Sequence, residues 1–396
     1  MDIPKEVDVL VIGMGPGGSG ATKRCAELGL KVLGVEKRAE IGSPKRCGEA
    51  ISRHGFTDRI GIEPKGPWIV QEVRGAIVYA PNGKSIRVDY EGPEGWVVER
   101  KLFDKHLASL AAKAGARFIT KTEASNFKRV DDGVTVDLDY NGKIHEIKAK
   151  LVIAADGVES KVAREMSIDT TNKLTDICAG VQFEMANVKN TDNMIEFFFG
   201  NDIAPGGYIW IFPKGENVAN VGIGTRKPWA KKRAIEYLED FVKQHPELKD
   251  ASILEVNCGG VPVGGFLDSN VADNLMIVGD AAHQVNPIHG GGIPEAYIAG
   301  KFAAEVAAEA IKINDLSAGF LKKYDDIWVK ERGNKLKKIL KLREVMEDLS
   351  NDDLNFLAEY LTGEDLVNFS RSSGFARLAK ILMKKPRLIK FARKLL

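Results

Sequence analysis

Residues 8–38 read DVLVIGMGPGGSGATKRCAELGLKVLGVEKR: an apolar run, a glycine-rich turn, a helical stretch, Gly29 as a stop and a second apolar run. A strand, a tight turn, a helix and a parallel strand open an α/β unit of the dinucleotide-binding kind. Gly13, Gly15 and Gly18 have the spacing GxGxxG. The first allows the turn, the second lets backbone approach a pyrophosphate, and the third permits close helix packing, with the helix N-terminus aimed at the anion. Three glycines alone say little. Glu36 ends the second apolar run eighteen residues after Gly18, where an acid accepts hydrogen bonds from both ribose hydroxyls of an adenosine. An acid there disfavours a 2′-phosphate, an objection that Lys37 and Arg38 soften, so FAD or NAD fits better than NADP.

A chain of 396 residues implies two or three domains. With 44% hydrophobic and 28% charged residues it is a folded globular protein, and a net charge of +2 gives no case for nucleic acid as a partner. The start, MDIPKEVDVLVIG, enters a strand with no leader pattern, so the expected location is cytoplasmic. No uncharged apolar run approaches the roughly 18–20 residues that span a bilayer, which leaves peripheral membrane contact. Cys25, Cys47, Cys178 and Cys258 show no CxxC spacing, against a zinc site or a disulfide framework. Cys47 and Cys258 each adjoin glycine, in RCGE and NCGG, where backbone can approach a ligand closely.

Three distant segments extend the opening unit. VVERKLFDKHLASLAAKAGARFIT sets Arg100 just before a helix that leads into a strand, and LVIAADGVESKVAR sets Asp156-Gly157 after an apolar strand. LMIVGDAAHQVNPIHGGGIPEAYIAGKFAAEVAAEAI gives a strand, Gly279-Asp280, three glycines and a long helix. Together these resemble the glutathione-reductase-type flavoprotein fold in its para-hydroxybenzoate hydroxylase branch, over roughly residues 5 to 310. The resemblance implies FAD and an α/β (α+β overall) architecture. It divides the chain into an FAD-binding domain (1–70 with 98–167 and 269–314), a β-sheet substrate domain (71–97 with 168–268) and a helical C-terminal region (315–396). On this reading Asp280 accepts hydrogen bonds from the ribitol, and the amides of Gly291, Gly292 and Ile293 face the flavin pyrimidine edge, where the helix dipole favours negative charge on the reduced ring. Arg100 neutralises charge near the pyrophosphate or ribitol. Ala124, after the strand RFITKTEA, meets adenine through its backbone. Asp156 and Gly157 structure the dinucleotide site.

Fold does not give function. APGGYIWIFPKG, residues 204–215, puts Tyr208, Trp210 and Phe212 on one face of a strand and Ile209 and Ile211 on the other. Pro205 to Pro213 resembles the P-x-x-Y-x-W-x-F-P motif of the geranylgeranyl reductase family at every fixed position. SPKRCGEAIS, residues 43–52, resembles that family's cysteine-glycine segment, which implies that Cys47 and Gly48 lie beside the isoalloxazine. The resemblance implies an FAD-dependent reductase that saturates geranylgeranyl chains, foremost on digeranylgeranylglycerophospholipids of archaeal membrane-lipid synthesis. Pro205, Tyr208, Trp210, Phe212 and Pro213 would then bind a polyprenyl substrate, with Tyr208, Trp210 and Cys47 at the chemistry. NAD(P)H or a ferredoxin would be the reductant. For Cys47 three roles stay open: proton donor, redox partner of Cys258, or small residue packed on the ring. His283 and His289 flank the flavin loop as possible relays. The competing readings are an aromatic monooxygenase of the same fold, which wants a polar pocket, and a non-enzymatic electron-transfer flavoprotein that docks on a membrane. A tryptophan halogenase would show W-x-W-x-I-P, from which Tyr208 and Phe212 depart.

Residues 371–396, RSSGFARLAKILMKKPRLIKFARKLL, hold nine basic residues and no acidic one among apolar side chains. Such a pattern suits an amphipathic segment on an anionic lipid surface, or a helical cap with a solvated basic face, and Pro386 forbids one continuous helix.

Overall fold

A computed structural model describes residues 3–189, 192–370 and 373–395. Its first elements are strand Glu6–Ile12, helix Pro16–Glu27 and strand Val32–Val35. The two strands pair in parallel, from Val9 beside Val32 to Ile12 beside Val35. Strand Glu6–Ile12 also pairs in parallel with the end of strand Lys143–Ala154, which pairs in turn with Leu275–Ile277. These belong to an eight-stranded sheet that is apolar on both faces. Alternation sorts the side chains: Val9, Val11, Leu151 and Ile153 pack under helices Pro16–Glu27 and Ile293–Ile313. Leu10, Ile12, Val152 and Ala154 pack against strand Gly133–Tyr140 of an antiparallel hairpin. Burial on both faces is why these strands read as unbroken apolar runs.

A seven-stranded sheet runs in the order Ser252–Pro262, Ile177–Ala186, Val218–Thr225, Tyr208–Pro213, Met194–Phe198, Gly75–Tyr79, Ser85–Asp89. Helix Ala234–Gln244 covers its back, where Ile209 and Ile211 join Phe183, Val221 and Ile223 in a core. The aromatic residues of strand Tyr208–Pro213 therefore face forward. Strands Ala50–Ser52, Ile69–Val73 and Gly95–Val98 form a small third sheet.

Beyond Ile313 the described chain is helical, and its basic tail has the packing of the helical cap, one of the two readings its sequence allows. Leu378, Ile381, Leu388 and Phe391 are buried against Leu342 and Leu357 of the preceding helices. Most of the tail's apolar face is spent inside the molecule. Basic side chains pair with acids of the same region: Lys385 and Arg387 with Asp353 at 2.7 and 3.2 Å, and Arg377 with Asp365. The tail is thus a helical cap, broken at Pro386 as its sequence requires. Arg371, Ser372 and Leu396 of this stretch lie outside the described residues. No helix among the described residues is long and apolar enough to cross a membrane.

Candidate active site

The glycine loop has the geometry its spacing demands. Gly13 has φ +92°, and a Cβ there would overlap the backbone of Ala155; a Cβ on Gly18 would overlap the carbonyl of Gly13. Gly15, by contrast, meets open space and caps helix Pro16–Glu27, so the helix N-terminus is bare. Across from it, Glu36 accepts the amides of Met14 (3.0 Å) and Arg38 (2.9 Å), which orient its carboxylate and leave lone pairs for hydroxyl donors. Ala124 lies within strand Thr122–Val130, paired with Leu138, rather than after a strand. Strand Arg117–Ile119 ends before Lys121, a left-handed residue (φ +53°), and a new strand begins at Thr122.

Asp156 accepts the Val162 amide (3.0 Å) through Oδ2, while its Oδ1 is buried without a partner. Burial pushes its carboxyl up. Gly157 follows at φ +77°. Asp280 begins the turn after strand Leu275–Ile277, and burial pushes it up to about 6 against the pull of Arg100. Arg100 is the first residue of helix Arg100–Lys113, and its guanidinium holds both oxygens of Asp104 (3.0 and 2.9 Å). Its Nε and Nη2 are engaged there, and the residue lines the cavity next to Cys47 and Asp280.

Helix Ile293–Ile313 opens with Gly292 as its cap and Pro294 in its first turn. The amides of Gly292 and Ile293 have no partner among the described residues, which leaves two donors at the positive end of the dipole. Gly291 differs from expectation: its amide donates to Nδ1 of His289 (3.1 Å), because the turn folds that ring back over it. Nδ1 therefore accepts, and the ring proton is on Nε2. Burial pushes His289 down to about 4, so it is neutral near pH 7. His283 bonds the carbonyl of Thr170 (3.3 Å), away from the cavity, as a loop histidine.

One cavity of about 1480 Å³ is lined both by the glycine loop, Glu36, Asp280 and Gly291–Ile293 and by Tyr208, Trp210 and Phe212. An ordinary ligand pocket measures about 300–1,000 Å³, so there is room for a dinucleotide and a second long molecule. Phe197 meets Tyr208 and Phe212 edge-on (5.4 and 5.6 Å) and widens the aromatic wall. Polar tips are pinned: Tyr208 donates its hydroxyl proton to the carbonyl of His289 (2.7 Å), and Trp210 Nε1 donates to Gln182 (2.9 Å). Gln182 in turn donates to the carbonyl of Cys47 (3.0 Å). Trp210 lies flat on Gly222 of the neighbouring strand, where any Cβ would overlap the ring.

Pro205 and Pro213 do not line the cavity. Strand parity turns Pro213 to the face opposite Phe212, and Pro205 sits in the turn before the strand, its carbonyl held by the Arg226 amide (3.1 Å). Cys47 and Gly48 do line it, with a Cβ on Gly48 reaching within 3.0 Å of Phe212. The pairing of Cys47 with Cys258 is overturned by register. Cys258 stands opposite Val181, and Gln182, whose side chain reaches Cys47, points to the other face of the sheet. Sequence reasoning missed Gln182, since a glutamine on a strand carries no local signal. It also missed the glutamates and lysines around Glu49, several of whose contacts, such as Lys45 with Glu184 and Lys214 with Glu99, span more than a hundred residues.

The cradle fits FAD. Buried Asp156 Oδ1, the bare amides of Gly292 and Ile293, the oriented Glu36 and the open face of Gly15 are unfilled polar positions of the kinds a dinucleotide and a flavin satisfy. The comparisons agree. Residues 176–261 match the family model described as geranylgeranyl reductase catalytic domain. The digeranylgeranylglycerophospholipid reductase of Methanocaldococcus jannaschii is 44% identical over 98% of this chain and 98% of its own. The crystal structure of a geranylgeranyl bacteriochlorophyll reductase-like protein from Thermoplasma acidophilum superposes with a TM-score of 0.90 at 37% identity, over 99% and 100% of the two chains. The halogenase PltM in complex with FAD shares the fold at a TM-score of 0.71 and 16% identity, over 98% and 94%. The chain therefore belongs to the geranylgeranyl reductase family of flavoproteins, among the digeranylgeranylglycerophospholipid reductases.

Proposed function

We propose that this protein is an FAD-dependent reductase that saturates the carbon–carbon double bonds of geranylgeranyl chains, with digeranylgeranylglycerophospholipids of archaeal membranes as substrate. The observation that carries this reading is the single cavity joining the dinucleotide cradle to the aromatic wall. An isoprenoid offers almost no hydrogen-bonding groups, so it binds by apolar burial, worth about 0.8 kcal/mol per CH₂, and by shape. Tyr208, Trp210, Phe212 and Phe197 supply that surface at little rotamer cost.

FAD, when bound and reduced, supplies hydride. Gly292 and Ile293 would hold the pyrimidine edge of the flavin with their free amides, and the helix dipole behind them would favour negative charge there. With the proton added to the less substituted carbon of the alkene ahead of the hydride, positive charge would develop on the more substituted carbon, which then accepts the hydride. The π-faces of Tyr208 and Trp210 would stabilise that charge by about 2 kcal/mol where the bound lipid has displaced water from them. Their hydroxyl and N–H are already bonded to His289 and Gln182, which holds the rings in place. Cys47 presents a thiol on the same cavity wall, the position from which a proton can reach the second carbon. Electrons come from NAD(P)H or a ferredoxin, since the only dinucleotide fingerprint is used for FAD.

Expression beside an unsaturated ether-lipid pathway tests the assignment. Mass spectrometry of the extracted lipids should show two hydrogens gained per double bond, progressively along the chains. Lipids of unchanged mass in cells that contain the folded flavoprotein would count against the substrate.

A further inference from the structure

Behind the Cys47–Gly48 loop lies a cluster of charge that the proposed reaction does not use. Lys214 Nζ stands 2.8 Å from Glu49, 2.7 Å from Glu99 and 2.7 Å from Glu184. Lys45 bonds Glu184 and reaches Glu255 at 3.3 Å and Glu49 at 3.4 Å. The carboxylates of Glu49, Glu99 and Glu184 approach closely enough to hold a metal ion, but the ammonium of Lys214 stands among them and supplies the counter-charge. Burial opposes that ammonium, and Glu49 with its neighbours more than offsets the penalty, which keeps Lys214 above the usual lysine range.

Glu49 is the centre of this cluster and the odd residue in it. It is fully buried, and its φ of +74° is left-handed, a conformation that glycine takes freely and a residue with a Cβ does not. Its carboxylate works in several directions at once. Oε1 accepts the amide of Arg100 (2.8 Å), the first residue of helix Arg100–Lys113. Oε2 accepts from Asn220 (2.7 Å) in strand Val218–Thr225 and from Lys214, next to the last residue of the aromatic strand. Its own amide donates to Cys47 Sγ (3.1 Å). Cys47 is held from the other side as well, through Gln182 to Trp210.

We propose that Glu49 is a positioning residue. Its carboxylate clamps the Cys47–Gly48 loop to helix Arg100–Lys113, to the end of the aromatic strand at Lys214 and to the neighbouring strand Val218–Thr225, and its amide fixes the cysteine sulfur. Thiol and aromatic rings thereby keep one geometry across the cavity. The purpose of the clamp rests on the proposed reaction; its existence does not.

The test is the rate at which iodoacetamide alkylates Cys47 in the FAD-loaded protein, read by peptide mass spectrometry, with exposed Cys258 as internal reference. Glu49→Gly removes the carboxylate and eases the backbone. It leaves Lys45, Lys214 and Lys101 facing Glu99, Glu184 and Glu255, so the charges of the cluster balance, and circular dichroism with the bound-flavin absorbance checks that the fold is kept. Cys47 should react about tenfold faster in this variant, with Cys258 unchanged. Glu49→Gln, which keeps the shape and loses the charge, should accelerate Cys47 by a smaller factor of about three. A Cys47 rate equal to that of the parent in both variants overturns the clamp. So does an equal acceleration at Cys258, which would mean general loosening. No lipid enters the experiment, so its outcome is separate from the substrate assignment.

Discussion

Asp280 shows how one residue's surroundings turn into a measurable dependence. Burial raises its carboxyl to about 6, so in the protein without FAD it keeps its proton well above the usual carboxylate range. In the proposed FAD site, ribitol hydroxyls would donate to the ionised form. Below about pH 6 binding must therefore expel a proton, and FAD affinity should fall with falling pH, by up to about tenfold per unit, while staying flat above about pH 7. His289, held at about 4, adds no step in that window. Flavin fluorescence titrations between pH 5 and 8 check this: the slope should vanish in Asp280→Asn, and an identical slope in both proteins would assign the proton elsewhere.

At the scale of an element, the aromatic strand depends on what its neighbour lacks. Trp210 lies on Gly222, so Gly222→Ala drives the ring off its seat and breaks its bond to Gln182. Overpacking of this kind costs about 1–3 kcal/mol, and the loss should be larger in turnover than in stability, because the back of the strand, Ile209 and Ile211, stays packed. Tryptophan fluorescence, melting temperature and single-turnover rate together separate the two effects; a variant that melts early and still turns over normally would reduce Trp210 to packing. The C-terminal helices teach the converse. Their apolar stripe is visible in the sequence, but nothing local says whether it meets lipid or protein. The partners, Leu342 and Leu357, sit on helices that only the tertiary fold brings alongside Leu378 and Phe391.

For the molecule as a whole, the features with local causes were legible and those made by long-range pairing were not. The GxGxxG turn, Glu36 at its strand end and the bare cap at Gly292 follow from short-range rules, and each stands where the spacing predicts. Alternation along residues 208–213 correctly split the strand into a cavity face and a core face. Cys47 and Cys258 looked alike in sequence, and only strand register shows that a sheet separates them. Pro205 and Pro213 belong to the motif without touching the cavity, since a proline can be fixed by the turn or the strand end it makes. Gln182 and Glu49 act through partners far along the chain. The central claim is that an unactivated alkene is drawn along the aromatic wall to a reduced flavin. The most direct measurement is reoxidation of the anaerobically reduced protein by a geranylgeranyl lipid, followed at the flavin absorbance. The flavin should reoxidise with lipid alone and more slowly in Trp210→Phe; a flavin that stays reduced until oxygen is admitted would contradict the account.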